Sequence, residues 1–388
     1  MIVLFYLLIF TILFILCVSI KNTNILITIV CTILIGQIIL APKICIDGVI
    51  SGALLFFYKV FPSLFSFLVV SNIILSYDGV YIYSRVIGKL LCRPLKLPVN
   101  CSFVLIISML CGYPLGAKYA CELYEKNLID LSTCERLLNI ASNASPLFVL
   151  GSVGISMFNN STIGYTLLLS NLLSCIFMGF LMPSKKTYRA PLQEKRHIYV
   201  HENIGKSLKN SIENAIKNCM SIGGFVIIFS VVNNILKSNF LFNSLIHWVS
   251  KFTGISYDII EGTFLGTIEM TNGCNLISSS TASLTLKIII VSFLFTFSGA
   301  SIISQVYSFT YKFKISMKKY VIGKIFQGII CSVLSFSIYT LFFNRLSEET
   351  FLPYYKITGD LSGILIFTLT LLILPWLLFK MVKLFHIP

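Results

Sequence analysis

Long apolar runs separated by short polar stretches dominate the chain. Two unbroken runs open it, at residues 2–20 and 25–40, and a third, 49–75, is interrupted only by Pro62. Further runs cover 163–182, 219–236, 325–343 and 361–379. Each is close to the ~20 residues a helix needs to cross a bilayer. Two other runs, 101–110 and 259–268, are about half that length. They end in polar, glycine-containing turns, Cys111-Gly112-Tyr113-Pro114-Leu115-Gly116 and Glu269-Met270-Thr271-Asn272-Gly273. Two more are long enough to span but carry a central break: Asn143-Ala144-Ser145-Pro146 within 133–158, and Ser298-Gly299-Ala300-Ser301 within 284–309. The pattern predicts an all-α polytopic membrane protein of about nine spans, with two re-entrant helical hairpins and two broken helices.

Composition supports this. Hydrophobic residues make up 56% and charged residues 12%, against about 25% charged in a soluble domain. Neither a soluble enzyme nor a disordered chain fits those values. The net charge of +15 would suggest nucleic acid in a soluble protein, so the placement of the basic residues decides its meaning. Seventeen fall in three loops, 76–100, 183–217 and 310–324, whereas the other connections are sparsely basic, with Lys43, Lys237, Lys251, Arg345 and Lys356 among their few. The positive-inside rule puts the three loops in the cytoplasm. With the hairpins entering and leaving on one side, the N-terminus then lies outside and the C-terminus, with Lys380 and Lys383, inside. The charge is a topology signal and implies no nucleic-acid partner.

Residues 1–20 lack a basic n-region and a small-residue cleavage site, so they read as a first membrane helix and not as a signal peptide. The 12 cysteines are scattered singly, with no CxxC, and behave as small hydrophobes. His197 and His201, followed by Glu202, have i, i+4 spacing in a polar loop that offers no scaffold for a metal. The tripeptides Asn143-Ala144-Ser145 and Asn160-Ser161-Thr162 match the glycosylation pattern by chance. No GxSxG, Walker loop or HExxH is present, and no nucleophile–base pair points to an enzyme.

The order span, hairpin, broken helix, span occurs twice. The predicted organisation is two N-terminal transmembrane helices (1–44), a first repeat (45–183; hairpin 101–128, broken helix 133–158), a basic cytoplasmic loop (184–217), a second repeat (218–345; hairpin 258–283, broken helix 284–309) and a C-terminal transmembrane helix (346–388). Val70, Asn72, Ile74 and Leu75 match Val231, Asn233, Ile235 and Leu236 at constant offset. The charge-derived orientation makes the copies inverted, as in secondary transporters whose site lies between the copies at the midplane.

A half-span of ten or eleven residues rises ~16 Å, so each hairpin tip lies near the bilayer centre. Irregular backbone at that depth is tolerated where it lines a cavity or is buried in protein. The candidate substrate-binding residues are therefore Gly112, Tyr113, Pro114, Gly116 and Lys118 from the first hairpin and Asn143, Ser145 and Pro146 from the first break. Glu269, Thr271 and Asn272 come from the second hairpin, and Gly299, Ser301 and Gln305 from the second broken helix. Ser145 suits an N-cap and Pro146 the first helical position, which would aim free N–H groups at a carboxylate or phosphate. Lys118 and Glu269 are expected to pair with each other, or Lys118 to meet an anionic substrate. The plainer alternatives are a packing kink at Pro146, a Lys118 that reaches the cytoplasmic interface, and a snorkelling Lys59. A capping box, Ser132-Thr133-Cys134-Glu135, predicts a helix start. The expected partners are a small anionic substrate and the lipid bilayer, with a homo-oligomer left open. No cofactor is expected beyond a coupling proton or Na+.

These residues resemble the sporulation integral membrane protein family called YlbJ or SpoVV. Its gate domain is related to nucleoside-recognition proteins and concentrative nucleoside transporters. The matching elements are Val60-Phe61-Pro62-Ser63-Leu64, Cys92-Arg93-Pro94-Leu95, Gly112-Tyr113-Pro114-Leu115-Gly116-Ala117-Lys118 and Glu135-Arg136-Leu137. They continue with Asn143-Ala144-Ser145-Pro146-Leu147-Phe148, Glu269-Met270-Thr271-Asn272-Gly273 and Gln305-Val306, so the resemblance covers roughly residues 45–345. Cys111 replaces a usual Ser, and Tyr58-Lys59 a more aromatic pair. The resemblance implies movement of dipicolinic acid from the mother cell across the outer forespore membrane. Dipicolinate is a planar aromatic dianion, suited to helix N-termini, Lys118 and a stacking face on Tyr113. A nucleoside-type carrier and a non-transporting spore-envelope assembly protein are the competing readings.

Overall fold

The computed structural model describes residues 23–77, 79–182 and 203–343, all-helical with short connections and no strand among them. The expected spans 2–20 and 361–379 and the His197–His201 pair lie outside the described residues. Helix α1 (Thr23–Leu40) meets α2 (Pro42–Leu55) at a bend of 104°. Pro42 opens α2 where its missing N–H leaves nothing unpaired. A π-helical turn, Phe56–Val60, joins α2 to α3 (Phe61–Ser76), so the run around Pro62 is one continuous path.

Three polar stretches expected as loops are partly helical. Residues 76–100 carry two short helices, α4 (Gly79–Val86) and α5 (Gly88–Cys92). The basic loop assigned to 184–217 ends earlier, because α10 (Ile204–Ser238) begins under the side chain of Asn203, which accepts from the Gly205 N–H at 3.0 Å. Its first turns are polar but helix-forming, with Lys209 and Glu213 paired at i, i+4. The stretch after residue 236 holds the amphipathic α11 (Phe240–Thr253). That helix is capped by Asn239, stopped by left-handed Gly254, and buries Ile246 while exposing Trp248 and Phe252.

The remaining elements follow the broken pattern of the sequence. They are α6 (Ser102–Cys111), α7 (Leu115–Glu125), α8 (Leu131–Ile140), a π-helical segment Phe148–Met157 and α9 (Ser161–Leu181) in the first half. The second half has α12 (Tyr257–Ile268), α13 (Met270–Ser279), α14 (Leu284–Phe297), α15 (Gly299–Thr310) and α16 (Met317–Ile338). The capping box is displaced: α8 starts under Asp130, whose Oδ1 accepts from the Thr133 N–H (3.3 Å) while Ser132 Oγ donates to Oδ2 (2.5 Å). Burial raises the Asp130 pKa, but these hydrogen bonds outweigh it and hold the carboxyl below its usual value. Glu135 is thereby free to reach the other half. It accepts from the Ser316 N–H and from Lys319 Nζ, both at 3.0 Å.

Among the described residues, four helices are long and apolar enough to cross a membrane: Ser161–Leu181, Ile204–Ser238, the broken Leu284–Thr310, and Met317–Leu341. The α2–α3 path lies along α10, where Asn234 Nδ2 donates to Ile44 O (3.3 Å), and α9 lies along α16. Since α16 begins at Met317, Lys324 is not a cytoplasmic loop residue; it is inside the helix and fully buried.

Candidate functional site

Helices α6 and α7 form the first hairpin, with its tip at Gly112-Tyr113-Pro114 and a cis Tyr113–Pro114 bond. The tip rests on the first break, backbone to backbone. The Tyr113 N–H donates to Asn143 O at 2.7 Å. Gly112 has φ +74, and a Cβ there would sit 2.5 Å from Ser145 N. A Cβ on Gly116 would overlap the Ala141 carbonyl oxygen. Helix α8 ends at Ile140 and helical structure resumes at Pro146, where Ser145 Oγ accepts from the Phe148 N–H (3.2 Å). The N-cap read from the sequence is therefore present. From behind, Asn171 Nδ2 donates to Ala144 O at 3.2 Å.

The second hairpin, α12 and α13, closes differently. Glu269 sits in extended backbone at its tip, 1% exposed, and caps α13 itself. Its Oε1 accepts from the Thr271 N–H (3.1 Å) and its Oε2 from the Asn272 N–H (2.7 Å). Asn272 Nδ2 donates to Ser230 Oγ of α10 at 2.7 Å. The second break, between α14 and α15, falls at left-handed Ser298, followed by Gly299 at φ +69. A Cβ on Gly299 would stand 3.0–3.2 Å from the carbonyl oxygens of Gly266, Thr267 and Ile268, so this break is pressed onto the second tip.

The two hairpins meet, but not through the expected ion pair. The Tyr113 hydroxyl donates to Phe295 O of α14 (3.1 Å) and lies 2.7 Å from Met270 Sδ of α13. Tyr320 of α16 reaches the first break: its hydroxyl is 2.7 Å from Ser142 Oγ. Lys118 and Glu269 do not pair. The carboxylate is already satisfied by two N–H groups and the partial positive charge of a helix N-terminus. Lys118, one turn below the first tip, is half-buried and turns toward α3 and α10 instead. There it lines a polar cleft of about 280 Å³ with Asn72 and Ser76 of α3, Tyr119 of α7, and Ser211, Asn214 and Asn218 of α10. Its Nζ lies 5.4 Å from the centroid of the Tyr119 ring.

Among the candidates, Asn143 Oδ1, Ser301 Oγ and both amide atoms of Gln305 are buried without a hydrogen-bond partner. Buried polar groups are paired in more than nine cases of ten, so such atoms mark places built for something else. Thr271 is buried at the second tip. Sequence reasoning missed Tyr320 and Lys324, whose polar heads were read as part of a basic loop. It also missed Asn214 and Asn218 of α10, which fall in or beside the stretch assigned to the basic loop. No cluster of metal-ligating residues occurs among the described residues.

No protein-family model matches the chain. The sporulation integral membrane protein YlbJ of Bacillus subtilis (strain 168) is 28% identical over 330 residues, covering 77% of this chain and 78% of that protein. The chain is an integral membrane protein and a relative of a sporulation protein. In fold it is similar to solved structures of CNTnw. An inward-facing, substrate-bound state has TM-score 0.48 and 12% identity, covering 73% of this chain and 75% of that one. A variant in an outward-facing state has TM-score 0.49 and 11% identity, covering 81% and 83%.

Proposed function

We propose that this chain is a secondary transporter of a small organic anion in the membrane of a sporulating cell, with dipicolinate as the cargo. The observation that carries the reading is the Lys118 cleft. It places one ammonium among neutral amides and hydroxyls, between the first hairpin and the first long helix of the second half. Charge placement sets the α3 C-terminus and the α10 N-terminus on the cytoplasmic side, so the cleft opens there and leads up to the hairpin tip. The two hairpins are then re-entrant from opposite faces, and the halves, 45–183 and 218–345, are inverted repeats. Asn143 at the first break, and Ser301 and Gln305 on the helix that follows the second, offer unpaired polar atoms to a cargo that has left water. A planar dicarboxylate fits a site with one cation, several amide donors and the Tyr119 ring beside it.

The deciding experiment is uptake into liposomes by the purified full-length protein, with labelled dipicolinate and, separately, labelled uridine. Dipicolinate uptake that falls at least about tenfold in Lys118→Met, as loss of a charge-assisted contact implies, supports the proposal. The amide lining of Asn72, Asn214 and Asn218 would equally hydrogen-bond a neutral ring. Uridine uptake that is indifferent to Lys118→Met would therefore establish the nucleoside-type carrier instead.

A further inference from the structure

Lys324 is fully buried in α16. Ionisable groups in a membrane interior are rare and normally paired. Its Nζ donates to the carbonyl oxygen of Ser142 and to Gln327 Oε1 (2.8 Å). Gln327 Nε2 in turn reaches Cys175 Sγ (3.2 Å) and Ser174 Oγ (3.5 Å) on α9. The titratable groups near Lys324 are Cys175 on α9, which shares Gln327 with it, Tyr320 on its own helix, whose hydroxyl shares Ser142, and Cys331 two turns on. The charged residues of the helices packed against it are engaged elsewhere. On α8, Glu135 is held by Ser316 and Lys319, and Arg136 by the carbonyls of Lys96, Gly179 and Met182. On α14, Lys287 donates to Ser278 O. Among the described residues no carboxylate forms an ion pair with Lys324.

The Ser142 carbonyl is no ordinary acceptor. It lies in the first break, after α8 has ended at Ile140 and before helix resumes at Pro146. Carbonyls at the open end of a helix lack intrahelical partners and carry partial negative charge. Away from water such a group calls for a cation or a strong donor. At the second break the comparable duty, toward Phe295 O, is met by the neutral Tyr113 hydroxyl.

We propose that Lys324 is a tethered cation for the first break. Its ammonium takes the carbonyl position that a free monovalent metal cation would otherwise hold, so the break closes without sodium. Taken with the transport reading on which this second part rests, the proposal makes uptake independent of a sodium gradient.

The test is thermal melting of the full-length protein in detergent, in sodium chloride and in choline chloride at equal ionic strength. Wild-type protein melts at the same temperature in both, within about 1 °C, because no sodium site is vacant. Lys324→Ala melts lower, and sodium but not choline restores it by about 3 °C or more, since the small ion can bind the freed carbonyl by mass action. Lys324→Met fills the space with apolar chain and stays low in both salts. Sodium-dependent stabilisation of the wild type, or an alanine variant that sodium does not rescue, overturns the proposal. Should neither variant fold, the wild-type comparison still decides. Uptake assays run in parallel separate the two ideas: no uptake under any gradient sinks the transport reading alone, whereas sodium-driven uptake sinks the tether.

Discussion

The two breaks are built from the same parts and closed by opposite means. At the first, backbone does the work: the Tyr113 N–H bonds Asn143 O, Gly112 and Gly116 pack against main chain, and a buried ammonium covers the exposed carbonyl of Ser142. At the second, side chains and conformation suffice. Ser298 turns left-handed, Glu269 caps α13, and a phenol covers Phe295 O. The first break therefore contains a titratable cation and leaves the half-helix start at Ser145 and Pro146 half-buried, while the second is sealed by neutral donors and a self-satisfied acid. Under the transport reading proposed above, the two breaks would act as two separate latches, and the difference in how they are closed makes them separable by mutation.

The largest effect is expected at Gly116. A methyl group there meets the Ala141 carbonyl, and both partners are main chain, so nothing flexible can give way. Gly116→Ala should cost about 3 kcal/mol or more, read as loss of folded protein in detergent-resistant melting or size-exclusion recovery. Gly299→Ala meets carbonyls at 3.0–3.2 Å at a positive φ, and should cost about 1–2 kcal/mol. Equal losses at both sites would erase the distinction between a backbone latch and a side-chain latch.

Glu269 comes next. If it caps α13, Glu269→Ala should destabilise by about 2 kcal/mol, because two N–H groups lose their acceptor in a buried place. Glu269→Gln keeps one acceptor oxygen and should cost less than half of that. The charge swap of Lys118→Glu with Glu269→Lys should not restore the loss. Rescue by that swap, in melting temperature or membrane expression, would reinstate the direct ion pair and contradict the cap.

The architecture was legible in the sequence wherever length and punctuation carried it. Half-length runs ending in Gly112-Tyr113-Pro114 and Glu269-Met270-Thr271 are helical hairpins because ten apolar residues followed by a turn have few alternatives. Ser145-Pro146 reads as a helix start because both residues act locally. What failed were choices between partners that are remote in the chain. Glu269 could be recognised as a buried acid, but its own helix offered a nearer partner than Lys118. Glu135 looked like half of a capping box, yet Asp130 took the cap and Glu135 crossed to Ser316. Lys324 looked like the end of a basic loop because charge, not helix phase, marked the boundary. The Glu135-Arg136 pair, noted for its resemblance, turns out to anchor the scaffold: Arg136 Nη2 donates to Gly179 O at 2.5 Å and its Nε to Met182 O, closing the end of α9.

A smaller change should sharpen the contact between the hairpins. Tyr113→Phe keeps the buried ring and removes the hydroxyl that donates to Phe295 O and touches Met270 Sδ, a loss of about 1 kcal/mol. In transport the same variant should uncouple the second latch, raising substrate-independent leak through liposomes while leaving Lys118-dependent binding in place. A Tyr113→Phe protein as tight and as stable as wild type would mean that the phenol does not hold the second break.

The smallest effects concern the ion pairs at the rim of each half, and their ranking follows from burial. Glu135 pairs with Lys319 across the two halves at 3.0 Å, but Lys319 is 71% exposed. Glu261 pairs with Lys237 within the second half at 3.6 Å, and Glu261 is only 8% exposed. Removing an exposed lysine from a partner that keeps another donor costs little, and Glu135 keeps the Ser316 N–H. Lys319→Ala should therefore cost about 0.5 kcal/mol or less and fade in high salt. Lys237→Ala leaves a nearly buried carboxylate with less compensation, so it should cost more, about 1 kcal/mol, and resist salt. Glu135→Ala should exceed Lys319→Ala because it also orphans the Ser316 N–H at the start of α16, beneath Tyr320 and Lys324. Melting curves of the three variants at low and high salt test the order. If Lys319→Ala proves the most damaging, the rim pair between the halves is a third latch, and closure of the first break depends on surface charge as well as on its buried ammonium.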